Sequence, residues 1–167
     1  MDSAVPLPQG DLAEKKRVIT DEWLDLVLRT YPENSSRLLR IESDRFRNPV
    51  GQTLKEGLSV LVDEILGGMT LARITPALDG IVRMRAVQDF TAGQAVAFVF
   101  LLRDVARKHL GEHKALLELA ERRIDHLAVE AFDLFMACRE KMYEIKAEAL
   151  KRSMYVQTRI DRKRAVN

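Results

Sequence analysis

The sequence predicts an all-α fold, on three observations. Apolar residues recur at steps of three and four, the spacing of a helix face, and no long alternating run demands a strand. Prolines and glycines fall almost entirely between the apolar-periodic segments. Several segments open on a residue suited to a helix cap, Asn48-Pro49 and Thr91 among them.

Taken in order, residues 10–18 read as a short polar helix, with 1–14 as a flexible N-terminal arm. Thr20 is placed to cap a helix from Asp21 to about Tyr31, with Trp23, Leu24, Val27 and Leu28 as its apolar face and Pro32 as its stop. Ser35 or Ser36 opens a short helix through Leu38, Leu39 and Ile41. Asn48 and Pro49 then start a helix whose face is Leu54, Leu58, Leu61, Val62 and Ile65, with Gly67 and Gly68 expected to end it at positive φ. Thr75-Pro76 is a second cap and first-position pair, leading through Leu78, Ile81, Val82, Met84 and Val87. The helix capped by Thr91 is apolar on nearly all sides from Ala95 to Leu102, which predicts a central position, and Gly111 stops it. The last helix runs from about Glu112 to Ser153 or beyond without Gly or Pro. Its stripe is Leu116, Ala120, Ile124, Leu127, Ala131, Leu134, Cys138, Met142, Ile145 and Ala149. The mean step is about 3.7, as one face of a straight helix requires. Some 40 helical residues would span about 60 Å. The C-terminal half is therefore expected to project, pack on a partner, or both.

Composition narrows the class. The 167 residues are 47% hydrophobic and 31% charged, enough for one helical domain over 15–150 with a substantial core. A single cysteine, Cys138, excludes an internal disulfide and fits a reducing, cytoplasmic setting. The opening residues have neither the basic segment nor the apolar core of a signal peptide. The most apolar run, Ala95 to Leu102, is closed by Arg103 and is far short of the roughly 20 residues a membrane span needs. A soluble protein without membrane insertion is expected. Net charge is +2, but residues 151–167 carry six cations against Asp161 alone, making a basic extension or tail on a mildly acidic body.

Chemical groups are sparse. His109 and His113 have the i, i+4 spacing of a metal pair, but Gly111 interrupts the helix between them, and no metal site is expected. Cys138 sits on the apolar stripe, so a buried structural thiol is expected rather than a nucleophile. There is no G-x-S-x-G, no phosphate-cradling glycine loop and no catalytic constellation, so no enzyme is expected. Three surfaces remain. Asp79, Arg83, Arg85, Gln88 and Asp89 form a candidate interaction patch, with Asp79–Arg83 and Arg85–Asp89 at pairing distance along a helix. Met142, Ile145 and Ala149 form a candidate dimer helix, since monomers seldom expose continuous apolar patches. Arg45, Arg47 and Asn48 precede a helix N-terminus where an anion could bind. Tyr155 among the tail cations leaves a nucleic-acid reading open, though a cationic helix end complementing its own dipole is the commoner cause.

Three segments carry a resemblance: "WLDLVLRTYP" from Trp23, "RFRNPVGQTLKEGLSVL" from Arg45 and "IVRMRAVQDFTAGQAVAFVFLLR" from Ile81. Together they resemble the N-terminal sensor domain of the RsbR and RsbRD proteins, the RsbT co-antagonists of bacterial stress signalling, over roughly residues 15–150. The resemblance implies a globin-like all-α fold that binds no haem or other cofactor and assembles as a homodimer. It also implies an unidentified signalling protein as partner. Family members usually place this domain ahead of a STAS output domain; the sequence stops after the long helix, so a stand-alone sensor or adaptor is expected. The alternatives are a small-ligand-binding sensor of globin type and a nucleic-acid binder through the basic tail.

Overall fold

A computed structural model describes residues 9–32, 48–88 and 90–164. Among these residues there are five helices and no strand. The short helix expected around Leu38, Leu39 and Ile41, and the arginines Arg45 and Arg47, lie outside the described residues.

Helix α1 spans Gln9–Arg29, so the two segments expected on either side of Thr20 are one helix. Thr20 does not cap it. Its hydroxyl donates to the Lys16 carbonyl at 2.8 Å, the i−4 bond a threonine makes inside a helix. No glycine or proline follows until Pro32, so nothing breaks the ladder there. Ile19, Trp23, Val27 and Leu28 are buried, while Leu24 is only half-buried.

Helix α2 spans Pro49–Leu66 and starts as its sequence predicts. Asn48 Oδ1 accepts the Gly51 N–H at 2.8 Å, and Pro49 occupies the first turn, where no N–H is needed. Leu54, Leu58, Leu61, Val62 and Ile65 are all buried. The α2 exit differs from expectation. No glycine has positive φ; Met69 has it instead, at 54°. The reason is Glu64. Its carbonyl accepts from Gly67 N at 3.3 Å and Met69 N at 3.0 Å, which wraps the chain back over the helix end. Its carboxylate accepts the Thr70 N–H at 2.7 Å and pairs with Arg73, also at 2.7 Å.

Helix α3 therefore starts early, spanning Leu71–Val87, with Pro76 inside it rather than at its first position. Thr70, not Thr75, precedes the first turn, and its carbonyl accepts from Arg73 and Ile74. Glu64 supplies the start that the sequence assigns to Thr75-Pro76. Gly57 lets α2 and α3 approach closely. A Cβ there would stand 3.0 Å from Ile81 Cδ1 and 3.3 Å from the Ala77 carbonyl.

Helix α4 spans Ala92–Leu110 and opens on a full capping box. Thr91 Oγ1 accepts the Gln94 N–H, and Gln94 Oε1 accepts the Thr91 N–H. Ala95, Phe98, Val99, Leu102 and Leu110 are buried, but Phe100 is 46% exposed, so the helix is not enclosed on all sides. Trp23 and Phe98 stack at 6.0 Å, and Trp23 Nε1 donates to the Phe98 carbonyl at 2.7 Å.

Helix α5 spans Lys114–Arg164, fifty-one residues in one run. The chain divides into two compact units, Met1–Phe135 and Met136–Asn167, a division that falls inside α5. In the first unit Ala120, Ile124, Leu127, Ala131 and Phe135 are buried. Arg123 Nη1 donates to the Ile65 and Gly67 carbonyls at 2.7 and 2.8 Å, capping the last turn of α2. Arg103–Asp125 and Arg107–Glu121 ion pairs join α4 to α5. In the second unit Cys138 is half-buried, not buried as its stripe position predicts, and Ile145 and Ala149 are exposed. None of the described helices is long and apolar enough to cross a membrane.

Candidate functional site

Among the described residues, one cation is buried in the interior of the first unit. Arg85 follows Ile74, Leu78 and Ile81 at steps of four, three and four, so it shares the core-facing stripe of α3. Its exposure is 0%. The guanidinium carbon lies 4.5 Å from the Phe90 ring centroid and 5.2 Å from those of Tyr31 and Phe98. Three ring faces thus surround the charge, each attracting it through the negative face of its quadrupole. Tyr31 arrives from the end of α1, where Thr30 N and Tyr31 N bond the Val27 and Leu28 carbonyls. Phe90 precedes the α4 cap, and Phe98 comes from the second turn of α4.

Arg85 Nη2 donates to Thr30 Oγ1 at 2.5 Å. Thr30 can accept because its own proton goes to the Val27 carbonyl at 2.7 Å. Arg85 Nε and Nη1 are buried without a hydrogen-bond partner, and so is the Tyr31 hydroxyl. Burial pushes the Arg85 pKa below its ordinary value, with the Tyr31 hydroxyl acting in the opposite direction. Burial pushes Tyr31 up, and the neighbouring guanidinium pulls it down. Arginine stays charged in such a setting. No carboxylate among the described residues pairs with it.

This cluster divides the patch expected on α3. Asp79 and Arg83 do pair, at 2.7 Å, on the outer side of the helix. Gln88 is exposed at the helix end, where its backbone N–H reaches the Arg85 carbonyl. Arg85 does not belong to that surface but to the core, and Asp89 lies outside the described residues. Sequence reasoning missed Thr30, Tyr31, Phe90 and Phe98 as its neighbours. The signal within reach was the phase of Arg85 on the Ile74–Leu78–Ile81 stripe.

Of the candidate anion site, only Asn48 is described, and its Oδ1 is used as the α2 cap. Of the candidate dimer helix, Met142 is half-buried, whereas Ile145 and Ala149 face solvent. His109 is not paired with His113: its Nε2 lies 2.6 Å from Glu22, which Lys108 also reaches at 2.9 Å. Lys108, then His109, hold the Glu22 carboxyl below its usual range. Among the described residues no group of three or more metal-binding side chains converges. An open groove of about 500 Å³ beside α1 and α2 is lined by mixed charges, including Lys16, Arg17, Lys55 and Asp63. Lys16 and Asp63 pair across it at 3.0 Å.

The model of one family matches the chain over residues 17–150: the N-terminal domain of the RsbT co-antagonist protein rsbRD. No curated protein matches it, and no solved structure does.

Proposed function

The chain belongs to the rsbRD N-terminal domain family, a signalling family, and on that premise we propose that it is a non-enzymatic sensor domain that acts through protein contacts as a homodimer. The observation that carries this reading is the apolar surface of the second unit. Tyr143, Ile145, Leu150, Met154, Tyr155 and Val156 are each more than half exposed. Water-facing apolar side chains in this density along one helix favour burial against a partner. A second copy is the simplest partner, because a two-fold contact uses the same face twice.

The reading places the domain in the cytoplasm, upstream of an unidentified signalling protein, without haem or catalytic group. Sedimentation velocity at micromolar concentration tests it. A dimer that Ile145→Asp converts to a folded monomer supports the reading. A wild-type monomer at tens of micromolar, with the last 20 residues cut readily by protease, contradicts it. Protein purified after expression with haem supply is expected to show no Soret band.

A further inference from the structure

The geometry points to a binding site for a small monovalent oxyanion, of carboxylate or nitrate type, at the unpartnered donors of Arg85 and the Tyr31 hydroxyl. It deepens the sensor part of the reading above by naming a class of signal.

A guanidinium at 0% exposure has lost its water, and three aromatic faces replace only part of that solvation. Ring faces attract the charge but accept no conventional hydrogen bond at the edge of the guanidinium plane. Around that rim Nε–H, on the side of Nη2, and Nη1, on the side of Cδ, carry hydrogens without an acceptor. The Tyr31 hydroxyl, in the same cluster, is a second buried donor left unused. Buried donors without acceptors are uncommon, and here they belong to two adjoining side chains.

The ligand class follows from this donor set. The free groups are donors with one positive charge, so the complement is an acceptor with one negative charge. With ring faces at 4.5 and 5.2 Å, the guanidinium offers its planar rim to a small, flat acceptor, as a carboxylate or nitrate is. A phosphate dianion would bring more charge than one guanidinium offsets. Access is short: Thr30, bonded to Arg85, is exposed, and Phe90 is half-buried. A bound anion would tie the end of α1 to α3 through charge-assisted bonds.

The test follows the Arg85 Nε–H resonance, assigned by its loss in Arg85→Lys, during separate titrations with sodium formate and sodium nitrate. Ionic strength is held with sodium fluoride. A saturable shift of that resonance, half-complete at about 1 mM in either arm, is expected. Response to formate alone assigns a carboxylate ligand; response to nitrate alone assigns an inorganic oxyanion. Tyr31→Phe removes a hydroxyl that has no hydrogen-bond partner within the protein, so the protein should stay folded while affinity falls about tenfold. No saturable shift in either arm up to about 100 mM would overturn the site, as would affinity unchanged in Tyr31→Phe. Binding that appears only in Asp89→Asn would also overturn it, because the chain's own carboxylate would then be the occupant. The resonance titration is indifferent to self-association, and the sedimentation runs contain neither anion, so either reading can fail alone.

Discussion

Along α5 the apolar side chains meet two environments. From Ala120 to Ala131 the stripe is buried: Ala120, Ile124, Leu127 and Ala131 are fully enclosed. From Tyr143 to Val156 equally apolar side chains face water. The buried stretch keeps the three-and-four steps of one face; beyond it Ile145 continues that face while Tyr143, Leu150 and Met154 lie on another, and neither stretch contains Gly or Pro. What differs is the material available to cover them. Residues 120–135 share a unit with α1 to α4, and those helices supply side chains to pack against. Periodicity specifies that a helix has an apolar face; it does not say whose surface will cover it.

The largest expected effects separate the two stretches directly. Leu127→Ala should cost about 2–5 kcal/mol in denaturant unfolding, since a fully enclosed leucine leaves a cavity. Ile145→Ala, made at a side chain 57% exposed, should change monomer stability by less than about 0.5 kcal/mol. Equal costs at the two positions would break the comparison.

A second prediction sharpens the first-unit side of it. Thr91→Ala removes one half of the α4 capping box and should cost about 1 kcal/mol, read from the denaturant midpoint at unchanged m-value.

The third concerns the α2–α3 turn. The Thr70 backbone N–H, above all, holds the Glu64 carboxyl below its ordinary pKa, with Arg73 contributing. A carboxyl depressed in the fold stabilises it above the unfolded pKa, and that contribution is lost as pH falls through the folded one. Acid titration of stability should therefore show a decline below the ordinary glutamate range, and Glu64→Gln should flatten it. An unaltered acid limb in the variant would remove Glu64 from the account.

The smallest effect is at Cys138. Because this thiol is half-buried, native labelling should proceed at a measurable rate, slower than in denaturant but not blocked. Complete protection at submicromolar concentration would return it to the core, where its stripe position had placed it.

How far the sequence anticipates all this depends on the kind of signal. Asn48-Pro49 and Thr91 mark helix starts because capping is local chemistry, settled within three or four residues. Thr20 and Thr75-Pro76 carry the same residue types and mark nothing. Thr20 turns its hydroxyl back to Lys16, and Thr75 is overtaken by a helix that Glu64, eleven residues earlier, starts at Leu71. The Glu64–Thr70 bond forms across a turn and leaves no local trace. Gly67 and Gly68 were the natural place for positive φ, yet the wrap over Glu64 puts it at Met69. Arg85 is the clearest case at the candidate site. Its charge type argued for the surface, while its phase argued for the core, and phase prevailed. The Asp79–Arg83 pair was legible because both residues lie on one helix, four apart. The ring cluster was not, because Tyr31, Phe90 and Phe98 come together only through tertiary packing.

The central claim, that the exposed stretch of α5 is an interface between copies, is tested most directly by amide hydrogen exchange at rising protein concentration. Exchange should be followed separately in residues 120–135 and 143–156. The account predicts that 120–135 exchanges slowly and at the same rate throughout. Residues 143–156 should exchange fast at submicromolar concentration and become protected toward tens of micromolar, with Ile145→Asp abolishing the gain. Fast exchange in 143–156 at every concentration would contradict it.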